Sequence, residues 1–374
     1  MKEIKETPFY SKQIGDLPKG CQMCIRGEKL VLFITGICPK HCWYCPLSEN
    51  RKDKDVIYAN EWKITDLDDL REEIKLTDAK GAGITGGDPL AKIDRTCEYI
   101  NLLKKEYGDS FHIHLYTTFT LVTKENMEKL HVSGLDEIRF HPDLDKKNEW
   151  SRINFASTFN WDIGLEIPAV PNEKEKVKEM IDFFDGKVKF LNINELEVSE
   201  LNMDDMEKYD YVTKTDISHG VLGSEDMAKE ILVYCLSKNL NVHYCTSKLK
   251  DKVQMQNRLK LRAKNVSTEF DIISDEGLLI RGVIYLKDLV PGIDFKKKLK
   301  MLDREEFIER LNSVKLSLED EGLELMVDEK KLRLITYPEH IEQFAEVLKG
   351  LGYVPAIIEE DPTHEAFEVN RDFL

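Results

Sequence analysis

The chain has 374 residues, enough for a large core and more than one domain. Its composition, 41% hydrophobic and 33% charged, is that of a soluble globular protein, and no apolar run approaches the ~18 residues a membrane helix needs. A net charge of −16 argues against broad, unspecific nucleic-acid binding, and no export signal is seen, which points to the cytoplasm.

Residues 1–28 read as an N-terminal extension carrying Cys21 and Cys24, a C-x2-C pair followed by Gly27, similar to a metal knuckle. Residues 21–25 are predicted as a strand that turns at 26–29 and pairs with the next one. From there to residue 247 strand-like and helix-like segments alternate, the pattern of a parallel α/β domain. Strands are predicted at 30–35, 80–85, 112–117, 136–141, 162–168, 188–193 and 240–245. A helix from Asp66 to Ala79 carries Leu67, Leu70 and Ile74 on one face, with Thr65 as its N-cap. Another follows Ser224, with Met227, Ile231 and Tyr234 at helical spacing. Six βα units and a last strand make a partial or open barrel.

Residues 248–266 read as a basic helical linker, with seven Lys or Arg and one acid between Lys248 and Lys264. Such a run is more often a solvated helix face than a nucleic-acid surface. Residues 267–374 then change pattern. After a strand at 268–273, the order is strand 278–286, helix 303–319, strands 322–327 and 332–336, helix 339–349 and strand 353–358. That βαββαβ order is ferredoxin-like.

Eight cysteines could suggest disulfides, but five lie between residues 21 and 45 in tight clusters, which favours metal binding in a chain without an export signal. The decisive group is Cys38-x3-Cys42-x2-Cys45, just after the apolar run Leu30–Ile34. Thiolate is the soft ligand of iron–sulfur clusters, and three cysteines on one loop can hold three corners of a [4Fe–4S] cube, leaving one iron open. The loop would sit at a strand's C-terminal end, where active sites of α/β folds gather. Zinc normally takes four ligands, often as two pairs, so a zinc knuckle is the poorer reading of this spacing.

Cys38-x3-Cys42-x-Tyr44-Cys45 resembles the cluster loop of radical S-adenosylmethionine (radical SAM) enzymes. Gly86-Gly87-Asp88-Pro89, at the end of the strand Gly81–Thr85, resembles that family's Gly-Gly-Glu-Pro segment, with Asp in place of Glu. The resemblance implies a partial parallel (β/α) barrel of the radical SAM type with a C-terminal ferredoxin-like α+β domain. It implies that Cys38, Cys42 and Cys45 bind the cluster, that Tyr44 lies near the adenine, and that Gly86, Gly87 and Asp88 lie at the methionyl end. The reaction implied is reductive cleavage of SAM to methionine and a 5′-deoxyadenosyl radical that abstracts hydrogen, with an electron donor such as ferredoxin or flavodoxin. Within the superfamily, Gly20-Cys-Gln-Met-Cys24 and Leu191–Glu197 resemble uncharacterised archaeal radical SAM proteins related to pyruvate formate-lyase activating enzymes.

Cys21, Cys24, Cys245 and His243 are candidate ligands of a second site, for zinc or an auxiliary Fe–S cluster. Cys97 and Cys235 read as small core residues. Thr117, Thr118, Arg139, His141, Glu166, Asn192, Asn194 and Glu195, near strand ends, are candidates for the pocket, His141 being more simply a loop residue. Two substrate classes stay open, a protein or peptide and an RNA such as tRNA. A zinc-stabilised binding module is the non-enzymatic alternative.

Overall fold

A computed structural model describes residues 2–215, 218–293 and 295–374. The chain divides into two compact units, Met1–Arg258 and Leu259–Leu374.

The first unit is built on seven parallel strands: β1 (Lys29–Phe33), β2 (Gly81–Thr85), β3 (His112–Thr118), β4 (Glu137–His141), β5 (Asp162–Ala169), β6 (Phe190–Glu195) and β7 (Asn241–Cys245). They lie side by side in chain order. Antiparallel strands extend the sheet at both ends, Lys12–Ile14 and Lys5–Glu6 beyond β7, Tyr58–Ala59 and Trp62–Lys63 beyond β1. The predicted strands match to within a few residues, because each is a short apolar or alternating run set between helix-like segments.

That alternation also sets the faces. In β3, His112, His114 and Tyr116 alternate with Ile113 and Leu115; in β4, Glu137, Arg139 and His141 alternate with Ile138 and Phe140. Asn192 and Asn194 alternate with Leu191 and Ile193, and His243 and Cys245 with Val242 and Tyr244. The apolar set packs against Leu70, Ile74, Ile100, Leu103, Met127, Met180 and Ile231 of the surrounding helices. Each such fully buried aliphatic side chain contributes about 1.5–3 kcal/mol. The polar set is left to the opposite face.

Two local expectations are corrected. Residues 21–25 form no strand; they lie in helix α1 (Lys19–Arg26), entered from Pro18 and closed by Gly27 at φ 75°. Proline at a helix entry and glycine just past its end are the signals that outweigh the apolar residues between them. The helix after residue 65 starts from Asp66, not Thr65, and spans Leu67–Leu76. Asp66 accepts from the amides of Asp68 and Asp69, while Asp69 reaches back to the Thr65 and Asp66 amides. This reciprocal box uses the charged Asp66 side chain as the cap, worth about 1 kcal/mol.

The second unit has the order β8 (Leu279–Tyr285), α2 (Arg304–Glu319), β9 (Met326–Asp328), β10 (Arg333–Thr336), α3 (Pro338–Gly350) and β11 (Val354–Glu360). The antiparallel sheet runs β9-β10-β8-β11, the ferredoxin-like arrangement, and an unforeseen edge strand, Glu368–Phe373, pairs with β11.

Candidate active site

The cysteine loop leaves the C-terminal end of β1 and is held from three sides. The Gly87 amide donates to Thr35 O at 2.7 Å and the Asp88 amide to Ile37 O at 2.9 Å, so the glycine segment after β2 is sewn to the start of the loop. Trp43 stacks on Tyr211 with centroids 5.5 Å apart, and Asn202 donates to the Tyr44 carbonyl at 3.2 Å. Cys38, Cys42 and Cys45 are half-buried free thiols that line one pocket of about 190 Å³ with Gly86, Gly87 and His141. The Lys40 amide points at Cys38 Sγ, 3.4 Å away. Burial pushes the Cys38 thiol up to about 11, and the Lys40 amide opposes that shift.

Gly86 and Gly87 do not occupy the left-handed region, so the conformational freedom of glycine is not what the segment uses. Space is: a Cβ on Gly87 would stand 2.5 Å from Ile37 O and 2.6 Å from Gly36 O. Gly87→Ala is therefore expected to push the 36–38 backbone outwards and lower SAM cleavage about a hundredfold, the cost of an ångström-scale misplacement. Anaerobic assay of 5′-deoxyadenosine checks this; near wild-type activity would refute it.

Asp88 is fully buried and turned away from the pocket. Its carboxylate accepts from Thr117 Oγ1 and Thr118 Oγ1, both at 2.8 Å, from the Thr118 amide at 3.1 Å and from the Leu90 amide at 3.0 Å. It positions the glycine turn on the end of β3. Thr117 and Thr118, candidates for the pocket wall, line the cysteine pocket and are also the partners of Asp88.

His141 is not a free loop residue. Its Nδ1 lies 2.9 Å from the Glu166 carbonyl and its Nε2 2.8 Å from the Tyr44 hydroxyl. A carbonyl only accepts, so Nδ1 carries the proton and Nε2 accepts from Tyr44. Burial, with Lys40 nearby, lowers its pKa to about 4, although Glu166 and Asp143 oppose this. Between its ordinary value and about 4 the unfolded chain takes a proton that the folded chain refuses. His141 thus contributes stability that is complete above about pH 6.5 and is lost as pH falls towards 4. The urea midpoint should drop more for the wild type than for His141→Gln between about pH 7 and about pH 5; equal drops would contradict this.

Inside the barrel a second cavity, of about 600 Å³, shares Tyr44, Thr85, Tyr116 and His141 with the first. Its wall is the polar set of the strands. Arg139, 1% exposed, donates from Nε to Glu137 at 2.6 Å and from Nη1 to Glu166 at 2.9 Å, and lies over the Tyr116 ring. Asn194 donates to the other Glu166 oxygen at 2.9 Å. Burial raises the Glu166 pKa, but Arg139 and Asn194 prevail and hold it below the ordinary value. Glu195 caps the Ser247 amide at 2.8 Å and pairs with Lys214.

Cys21, Cys24 and Cys245 line this cavity; His243 does not, and its Nδ1 engages Asn192 at 2.7 Å. Among the described residues no three His, Cys, Asp or Glu side chains converge on the position of one metal ion. Cys235 is a core residue and Cys97 packs against the core. The basic run is partly consumed internally: Lys250 pairs with Glu197 at 2.8 Å, Lys248 lies over Tyr10, and Arg258 pairs with Glu61. Lys29, Tyr116 and Gln254 also line the cavity, and sequence reasoning missed them. The alternation of β3 was the available signal for Tyr116; Lys29, at the head of an apolar run, and Gln254, which arrives on the π-helical turn Lys250–Met255, had none.

Residues 32–149 match the family model of the radical SAM superfamily. A Methanocaldococcus jannaschii protein named "Putative glycyl-radical enzyme activating enzyme" is 40% identical over 380 residues, covering 98% of this chain and 96% of its own length. Among solved structures, Streptococcus suis SuiB bound to S-adenosylmethionine covers 59% of this chain and 50% of its own at 12% identity, with a TM-score of 0.41. Methylornithine synthase covers 55% and 62% at 13% identity, with a TM-score of 0.40. No helix among the described residues is long and apolar enough to cross a membrane. With a relative this similar along nearly its whole length, and the family's motifs meeting in one pocket, the chain belongs to the radical SAM superfamily and is an enzyme that uses a [4Fe–4S] cluster and SAM.

Proposed function

We propose that Cys38, Cys42 and Cys45 hold the [4Fe–4S] cluster, that SAM lies between this loop and the Gly86-Gly87 turn, and that the radical acts on a protein. The observation that carries the reading is the single pocket lined by three thiols and both glycines. The donor set fits: three soft sulfurs on one loop, with a backbone N–H directed at Cys38 Sγ. When bound, the cluster supplies the electron that cleaves SAM to methionine and a 5′-deoxyadenosyl radical. The chain's own residues do the positioning. Asp88 fixes the glycine turn, His141 orients Tyr44, and Trp43 packs the loop against Tyr209 and Tyr211.

Two observations support a protein substrate over RNA. The relative is named for activating a glycyl-radical enzyme, and much of the basic run is paired internally in a chain of charge −16. The test adds either nucleic-acid-free protein or purified tRNA from the source cells to the reduced, cluster-loaded enzyme. Faster 5′-deoxyadenosine formation with the protein fraction alone is expected. Stimulation by tRNA alone would replace this reading with RNA modification.

A further inference from the structure

Cys21, Cys24 and Cys245 come from opposite ends of the first unit, and the fold brings all three to one cavity. Helix α1 lies close against the barrel: a Cβ on Gly20 would stand 2.6 Å from His114 Nδ1 and 2.7 Å from Arg139 Nη2. This approach carries Cys21 and Cys24, one helical turn apart, into the wall, and their i,i+3 spacing puts them on one face. Cys245 arrives at the C-terminal end of β7. All three are free thiols.

Burial and Glu166 disfavour a free thiolate at Cys21 and Cys245, so negative charge on these sulfurs needs donors and cations beside it, and both are present. Arg139 Nη1 lies 3.5 Å from Cys21 Sγ and donates to it, and Gln254 Nε2 lies 3.6 Å from Cys245 Sγ and donates to it. Lys29 and Lys250 line the same wall. Hydrogen bonds to sulfur and nearby cations are what a thiolate-bound cluster needs to offset its charge.

Zinc fits less well. It demands sulfurs about 2.3 Å from one centre, and no three such side chains converge that way among the described residues. The same holds for Cys38, Cys42 and Cys45, whose irons would sit at separate corners of a cube. We infer that Cys21, Cys24 and Cys245 hold an auxiliary iron–sulfur cluster in the wall of the cavity that shares Tyr44 and His141 with the SAM-side pocket. The inference does not depend on the ligands assigned to the first cluster.

The test is iron content and EPR of anaerobically reconstituted full-length protein, using ferrous iron and sulfide. Two cubes give about eight irons per chain. Cys38→Ala/Cys42→Ala/Cys45→Ala should keep about four irons and a reduced-cluster signal, and Cys21→Ser/Cys24→Ser/Cys245→Ser should lose that same signal. Wild-type protein with about four irons, all lost from the Cys38 triple variant, would overturn the inference, as would one tightly held zinc in that variant. Should the triple variants fail to fold, the wild-type count alone decides, about eight irons against about four. About four irons that survive the Cys38 substitutions and vanish with the Cys21 substitutions would sink the first assignment and leave this one standing.

Discussion

Cys38→Ala/Cys42→Ala/Cys45→Ala is expected to lower 5′-deoxyadenosine formation from SAM more than about a hundredfold, to the level of a protein-free control. Losing one outer-shell partner already costs a bound metal about 10–100-fold, and this change removes every protein sulfur of the site. Tyr44→Phe is the graded companion. It keeps the ring and deletes only the hydroxyl that His141 accepts at 2.8 Å, so a loss of about tenfold is expected, with the iron retained. The measurement is anaerobic turnover after dithionite reduction, beside iron analysis of each variant. Product from the triple variant would place the cluster elsewhere in the chain. An iron-free, inactive wild type would end the radical reading and favour the zinc module.

Arg139→Met should be the most destabilising single change in the first unit, by about 3–5 kcal/mol. Arg139 is 1% exposed and bridges Glu137, fully buried, and Glu166. Its removal leaves the Glu137 carboxylate in a low-dielectric wall beside His112, 3.7 Å away, whose pKa burial lowers and which is therefore a poor cationic partner. An uncompensated buried charge costs far more than the pair itself contributes. For a unit of this size the loss corresponds to a melting temperature lower by about 10 °C. Arg139→Met with Glu137→Gln should recover part of it, because the stranded charge is gone; no recovery would mean that the lost packing over Tyr116 and Phe190 dominates. Calorimetry of the three proteins decides.

The seven parallel strands, the ferredoxin-like order of the second unit and the cysteine loop could all be read from the residues. Each depends on local physics: two-residue alternation, turn-forming residues, and thiols spaced closely enough to share a cluster. Where local signals competed, the reading slipped. The segment 21–25 has apolar residues that suit a strand, yet Pro18 and Gly27 bound a helix; Thr65 and Asp66 are both good caps, and the reciprocal bond from Asp69 selected the second.

The tertiary structure alone decided what the polar side chains do. Asp88 reads as a residue of the cofactor site, but the end of β3 brings three donors to its carboxylate, beside the local Leu90 amide, and turns it into the anchor of the glycine segment. His141 read as a loop residue, and the neighbouring strand and the cysteine loop fix both of its nitrogens. Cys24 and Cys245 are separated by more than half the chain, and only the packing of α1 against the sheet puts them on one wall. The chemistry of a residue type is local and travels with the sequence. The partners that orient a side chain, and the burial that shifts its charge, come from segments distant in the chain, and no spacing along it records them.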